Sequence, residues 1–150
     1  MSKSLFKHLH HIAIIASDYQ RSKHFYNQIL GFPIIHEAYR EARASYKLDL
    51  RVDEYSQIEL FSFPHPPARP STPEACGLRH LAFAVENVDE VVGYLEGSGI
   101  ECEPIRVDEF TGRRFTFFKD PDGLPLEIYE TNSALWFDLS GYFMVDVELA

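Results

Sequence analysis

The sequence predicts an α+β fold made of two copies of one unit, each a strand, a helix and three further strands. Two observations predict it. A histidine opens a short apolar run at His11 and again at His80, and each run is followed by an amphipathic segment that ends at a glycine. Each half then has three strand-like stretches, the last of which contains a glutamate. Matched features at a fixed spacing indicate an internal repeat.

The first copy begins with the strand that His11 opens, since short β-branched and apolar runs are typical of buried strands. Asp18 is a good helix N-cap because its carboxylate accepts hydrogen bonds from free backbone N–H groups. The helix that follows is expected to end at Gly31, as glycine commonly ends helices. Three strands are predicted after it, over 33–37, 44–50 and 57–63.

The second copy repeats this order from His80, with Asn87 as the helix cap and Gly99 as the helix end. The sequence "DPDG", residues 120–123, has the composition of a hairpin turn. The predicted strands of this copy cover 101–107, 114–119 and 124–129.

These elements predict one domain over 8–130, composed of modules at about 8–63 and 79–130. The segment 64–78 is rich in proline, which excludes a helix or a central strand, and is read as a stiff connector. Residues 131–150 lie outside the repeat and form a C-terminal extension with no assigned role.

Composition limits the possible partners. The 150 residues include 23 acidic and 14 basic ones, a net charge of −9, which disfavours nucleic acid and anionic membranes. No apolar stretch approaches the ~20 residues that span a bilayer. The two cysteines, Cys76 and Cys102, form no disulfide framework. We therefore expect a cytoplasmic protein that binds a small-molecule substrate.

Four residues locked to the repeat predict a metal site. Glu59 and Glu127 each lie 28 residues after the glycine that ends the preceding helix. A carboxylate inside an apolar strand costs free energy unless it is paired or binds a metal. Together with His11 and His80 they offer mixed nitrogen and oxygen donors. This donor set suits one divalent Zn, Ni, Co, Mn or Fe ion and disfavours a structural zinc of the Cys-rich type.

These residues give the chain a resemblance to the vicinal oxygen chelate superfamily, which includes glyoxalase I, extradiol dioxygenases, methylmalonyl-CoA epimerase and fosfomycin-resistance proteins. The resemblance covers about residues 8 to 130 and rests on "HHIAI", "SKHFYNQILGF", "IELF", "RHLAFAV" and "DPDGLPLEIYE". The connector, residues 61–83, further resembles that of a small bacterial glyoxalase-like subgroup. The resemblance implies the glyoxalase/bleomycin resistance/dioxygenase fold, whose curled sheets form a cup around a metal bound by His11, Glu59, His80 and Glu127.

The presence of both glutamates resembles glyoxalase I more than the dioxygenases or fosfomycin-resistance enzymes, which typically use two histidines and one glutamate. This implies a metal-dependent lyase or isomerase that moves a proton between adjacent carbons of a substrate chelating the metal through vicinal oxygens. Either Glu127 or Glu59 would be the base. The alternatives are a metal-dependent dioxygenase or thiol transferase of the same fold, and a non-catalytic small-molecule binding protein.

The sequence departs from glyoxalase I at two positions that commonly hold glutathione, where it has Ile15 and Phe63. Apolar side chains cannot hydrogen-bond a carboxylate, so we expect another thiol adduct, a hydroxy-carbonyl metabolite or an acyl thioester as substrate. The candidate anion-binding residues are Arg114, first, and then Arg40 and Arg43.

Two points stay open in the sequence. The resemblance allows the four ligands to come from one chain or from two, and we expect a homodimer. His10 and His8 have no counterparts in the second copy and are interpreted as ordinary polar residues near the start of the strand.

Overall fold

The computed structural model describes residues 4–131 and contains two four-stranded curled sheets. The predicted α+β fold class is confirmed. Of the predicted C-terminal extension only Thr131 is described, and the remainder lies outside the described residues. None of the helices in the described part of the chain is long and apolar enough to cross a membrane.

The strands of the first sheet are β1 (His11–Ala16), β2 (Ile34–Arg40), β3 (Ser45–Arg51) and β4 (Gln57–Ser62). Their order in the sheet is β1-β4-β3-β2, in which β1 and β4 are parallel and the other neighbours antiparallel. Between β1 and β2 the chain forms a short α-helix that continues directly as a π-helix, because Leu30 donates to the carbonyl of Phe25 five residues back. The helical elements are α1 (Tyr19–Lys23), the π-helix (His24–Ile29) and a 3-10 turn between β2 and β3 (Glu41–Arg43).

The strands of the second sheet are β5 (Leu81–Val85), β6 (Arg106–Val107), β7 (Arg114–Lys119) and β8 (Pro125–Glu130). They repeat the first arrangement with the order β5-β8-β7-β6, and β5 is parallel to β8. The predicted strand 101–107 pairs as a strand only over its last two residues, although Glu103 N donates to the carbonyl of Phe117. The helix α2 (Val88–Gly97) lies between β5 and β6 in the chain.

The helix boundaries follow the predicted caps. The carboxylate of Asp18 accepts from Arg21 N at 3.0 Å, and the amide oxygen of Asn87 accepts from Glu90 N at 3.2 Å. Gly31 follows the first helical segment with φ of 77°, a conformation that a side chain disfavours.

Strand alternation gives each sheet one face packed against helices and one open face. In the first sheet, Leu48 and Leu50 of β3 are fully buried together with Ile58 and Leu60 of β4. In the second, Leu126 and Ile128 of β8 are buried in the same core. The residues between them in sequence point to the open faces.

The two sheets associate through their helix-bearing faces. Tyr26 of the π-helix donates to a carboxylate oxygen of Asp120 at 2.8 Å, and both side chains are buried. The other oxygen of Asp120 accepts from Leu124 N and Asp122 N. Burial raises the pKa of Asp120 in spite of these hydrogen bonds. The ring of Phe25 packs near that of Phe118, with ring centroids 6.4 Å apart. The contact between the sheets therefore combines this aromatic packing with the buried hydrogen bond of Tyr26 and Asp120.

Replacing Tyr26 tests this contact between the sheets. Tyr26→Phe removes the donor to a buried carboxylate oxygen, so we expect the free energy of unfolding to fall by about 1–3 kcal/mol. Urea denaturation followed by circular dichroism measures it. The matched control is Tyr39→Phe, at a half-exposed ring, where we expect less than about 0.5 kcal/mol. Equal losses in the two variants would contradict the role given to Tyr26.

Candidate functional site

His11 and Glu59 lie next to each other on the open face of the first sheet, and we call them the first pair. The parallel register of β1 and β4 places Ala13 opposite Glu59, so His11, two residues earlier, lies on the same face. His11 Nε2 is 3.9 Å from Glu59 Oε2. The imidazole is 44% exposed and the carboxylate only 15%, which leaves the nitrogen accessible from the open side.

His80 and Glu127 form the matching second pair on the open face of the second sheet. His80 Nε2 is 3.0 Å from Glu127 Oε2, and the glutamate side chain is 12% exposed. Phe117 lies directly opposite Glu127 across the β7–β8 ladder, and its ring also packs edge-on against His80. The second pair therefore lies against an aromatic wall.

His10 contacts the first pair, which the sequence did not indicate. Its Nδ1 is 2.9 Å from Nδ1 of His11, so one ring donates and the other accepts. This bond fixes the orientation of the His11 ring and leaves its Nε2 facing Glu59. His8 instead packs its ring near Tyr55. Neither His8 nor His10 has a counterpart in the second copy, so the repeat could not distinguish them. Only the side-chain geometry does.

Two charged neighbours of Glu59 were also missed. Asp49 lies directly opposite Glu59 across the β3–β4 ladder, and Lys47 lies two residues before it on the same face. Lys47 Nζ donates to Glu59 Oε1 at 3.1 Å and also to Asp49. Because β3 was predicted at this place, alternation and pairing with β4 could have found both residues.

Each open face also carries an arginine over two phenylalanines. The guanidinium of Arg40 lies 4.8 Å from the ring centroid of Phe61 and 5.7 Å from that of Phe63. Arg106, which the sequence analysis did not select, lies over two rings of the second sheet at 5.2 and 5.4 Å. These contacts lie within the range of cation–π interactions.

The three arginines predicted to hold an anion are placed differently. Arg40 lies on the open face of the first sheet, and Arg43 lies exposed in the 3-10 turn. Arg114 lies on the helix-bearing face of the second sheet, where it donates to Asp89 of α2 and lowers the pKa of that carboxyl. This face is opposite to the second pair because Arg114 and Phe117 are an odd number of residues apart.

The two pairs do not form one cluster within a single chain. Among residues 4–131, no three or more histidine, cysteine, aspartate or glutamate side chains are placed to hold a metal ion together. Each pair offers one imidazole nitrogen and one carboxylate oxygen, so each is half of the predicted four-ligand set.

A separate apolar cleft lies between the two modules, on their helix-bearing side. Its volume is about 1270 Å³, and neither pair lines it. Its apolar walls come from both modules and include Ile12, Leu30, Phe32, Phe83, Val91 and Tyr94.

A family model matches this architecture. Residues 8–128 match the glyoxalase/bleomycin resistance protein/dioxygenase superfamily. The chain belongs to this superfamily. Escherichia coli (strain K12) YaeR, described as uncharacterized, is 63% identical over 124 residues, which are 83% of this chain and 96% of YaeR. The predicted family resemblance is therefore confirmed, and this similarity supplies no substrate.

Solved structures agree on the fold. A glyoxalase family protein from Enterococcus faecalis has a TM-score of 0.80 and 53% identity, covering 85% of this chain and 100% of that one. Two remoter structures share the fold alone. The trypanothione-dependent glyoxalase I of Leishmania major is 22% identical (TM-score 0.65, 83% and 87% covered), and the antibiotic-binding protein TnmS3 from Streptomyces sp. CB03234 is 19% identical (TM-score 0.67, 87% and 100% covered).

Proposed function

We propose that this protein is a metal-dependent, glyoxalase I-like lyase or isomerase that acts on a substrate with vicinal oxygens. The observation that carries the proposal is the pairing of one histidine with one glutamate at repeat-matched places on two open sheet faces. The donor set, imidazole nitrogen with carboxylate oxygen, suits a divalent first-row metal.

The metal would be bound between two copies of the chain. A single pair offers two protein ligands, whereas catalytic metal sites use three or more. A two-fold axis that places the first pair of one chain against the second pair of its partner produces two identical four-ligand sites. His11, Glu59, His80 and Glu127 are then the ligand set that the resemblance implies.

The surface around the pairs supports a homodimer. β1 and β5 are edge strands of their sheets, and their open faces carry exposed apolar residues among the described ones. Ile15 is 53% exposed on the same face as His11. Ala82 and Ala84 are exposed on the same face as the second pair. A partner chain on these faces would bury this apolar surface and at the same time complete the four-ligand site.

A divalent cation held there supplies Lewis acidity that stabilises negative charge on the two vicinal substrate oxygens. We assign the base to Glu127, whose carboxylate has His80 as its polar neighbour, while Glu59 is also hydrogen-bonded to Lys47. Oε2 of Glu127 would take the proton from one carbon and return it to the adjacent one. Phe117 would exclude water from this transfer.

Apolar residues occupy the two positions that commonly bind glutathione in glyoxalase I. Ile15 is exposed beside the first pair, and the ring of Phe63 lies nearly parallel to that of Phe61 beneath Arg40. We therefore propose a substrate other than a glutathione adduct.

A heterodimer of two defective chains tests the shared site. His11→Ala damages only the first pair, and His80→Ala only the second. A heterodimer purified with two different affinity tags keeps one intact site, so we expect about one Ni²⁺ per dimer, against two for the unaltered dimer. Each variant alone keeps only three ligands at both of its sites, so both sites should bind Ni²⁺ more weakly than the intact site of the heterodimer. Equilibrium dialysis with metal analysis measures the content.

The outcomes of this experiment separate the alternatives. No binding by the heterodimer, with two ions in the unaltered dimer, would place each site within one chain. A monomer in analytical ultracentrifugation would overturn the shared site, and no metal in the unaltered protein would overturn the proposed function.

Solvent exchange tests the reaction. In D₂O without oxygen, the metal-loaded protein should exchange carbon-bound protons of dihydroxyacetone, a vicinal hydroxy-carbonyl probe, as followed by proton NMR. At saturating metal, Glu127→Gln should slow the exchange at least about 100-fold, the usual contribution of a general base. The control is Glu96→Gln, at an exposed position of α2. If Glu59→Gln slows the exchange in place of Glu127→Gln, Glu59 is the base. Turnover only with Fe(II) and oxygen would indicate a dioxygenase.

His10 provides a test of ligand orientation. Partners that orient a ligating histidine typically contribute 10–100-fold to metal affinity, so His10→Ala should weaken Ni²⁺ binding about tenfold or more. His8→Ala, the matched control, should leave the affinity within about twofold because His8 contacts Tyr55 instead. Calorimetry measures both, and equal effects would remove the orienting role of His10.

A further inference from the structure

Lys47 is a cation placed directly beside the first pair. Its ammonium donates to Glu59 Oε1 at 3.1 Å and to Asp49, and its side chain is 28% exposed on the open face. An ammonium that donates to two carboxylates and is partly exposed to solvent carries the positive charge that lysine ordinarily has at neutral pH.

The second copy of the repeat has no counterpart of this cation. In the second sheet, Phe115 and Phe117 occupy the positions that match Lys47 and Asp49, as judged by their pairing with Tyr129 and Glu127. Glu127 is about as buried as Glu59, and its ion-pair partner among residues 4–131 is the imidazole of His80. The first copy thus has a second carboxylate, Asp49, opposite its glutamate and a lysine that bridges the two. Of the two His–Glu pairs, the first is the one with this ammonium beside it.

A lysine is an unfavourable neighbour for a metal ion, since like charges repel. When Glu59 shares its carboxylate with a metal, Lys47 keeps Asp49 as its remaining full counter-charge. A protein with a net charge of −9 also repels anions at long range, so an anionic substrate needs local cations. A negatively charged substrate oxygen between the metal and Lys47 would offset the repulsion between these two cations, and Lys47 would be the local cation that the anion needs.

We propose that Lys47 binds a negatively charged oxygen of the substrate, and that the substrate of this site is a small anion, such as a carboxylate compound, with vicinal oxygens. This inference rests on the proposed metal site and names its substrate class. Because Lys47 Nζ is within hydrogen-bond distance of a predicted metal ligand, the charged oxygen belongs on or next to the chelating atoms.

Arg40 offers a second cation along the same face. Its guanidinium is held by Ser45 Oγ at 3.1 and 2.6 Å and by the face of Phe61. The aromatic ring lies on the same face as Glu59, two residues along β4, so an anion at Lys47 would have a cation and a planar apolar surface beside it. This arrangement suits a compact anion with an apolar or planar remainder.

Two chelating probes of different charge test the inference on the Ni²⁺-loaded protein. Oxalate binds a metal through two vicinal oxygens and keeps a second negative charge, whereas acetohydroxamate chelates similarly but ends in a methyl group. Lys47→Met should weaken oxalate binding at least about tenfold and leave acetohydroxamate binding within about twofold, since hydrogen bonds to charged groups are the stronger ones. Calorimetry measures both.

The same variant has a second readout in metal affinity. Removing a positive charge beside the site should leave Ni²⁺ binding unchanged or tighter. Lys47→Arg keeps the charge and should retain most of the oxalate affinity. The control is Lys23→Met, since Lys23 has a similar exposure, 27%, and donates to Glu37 on the opposite face of the same sheet. It should change none of these affinities.

The outcomes are distinct. If Lys47→Met weakens Ni²⁺, oxalate and acetohydroxamate together, Lys47 only positions Glu59 and the inference is overturned. Equal affinity for oxalate in Lys47→Met and the unaltered protein, with Ni²⁺ bound normally, overturns it while leaving the proposed function intact. Absence of Ni²⁺ binding in the unaltered protein overturns both.

Discussion

The packing of the two helix-bearing faces against each other is the constraint on which the site depends. Tyr26 and Asp120 form a buried hydrogen bond at this contact, between a π-helix of one module and a turn of the other. With one face of each sheet used in this way, the other must point outward. Both His–Glu pairs lie on these outward faces, so within residues 4–131 they stay apart and each supplies two of the four proposed ligands.

The two halves of the proposed site are unlike, although the modules repeat. The first pair lies beside Lys47 and Asp49, and the second beside phenylalanines. Joining a first pair to a second pair would place a charged wall, formed by Lys47 and Asp49, opposite an aromatic wall of phenylalanines. A charged wall can bind an anionic group while an aromatic wall excludes water, and both are useful to proton transfer next to a metal. A site made from two identical halves could not divide these tasks.

Much of the fold could be predicted from the sequence because strand alternation and helix caps are local. The caps at Asp18 and Asn87 and the last strand of each copy were placed within one or two residues. The stretch 101–107 was harder to predict, since β6 pairs over two residues only and pairing depends on the neighbouring strand. The π-helical turn has no local signal in the sequence. Lys47 was missed for a different reason: both strands were predicted, but its place beside Glu59 follows only when β3 is paired with β4.

The sequence by itself determined which side chains share a face, because successive residues of a strand alternate, and it identified two histidines and two glutamates through the repeat. Only the tertiary structure decided which face of each sheet is covered. That choice depends on long-range contacts such as Tyr26 with Asp120, 94 residues apart, which no local pattern specifies. It placed Arg114 against α2 and away from the second pair, brought His10 to His11, and left each His–Glu pair on an open sheet face.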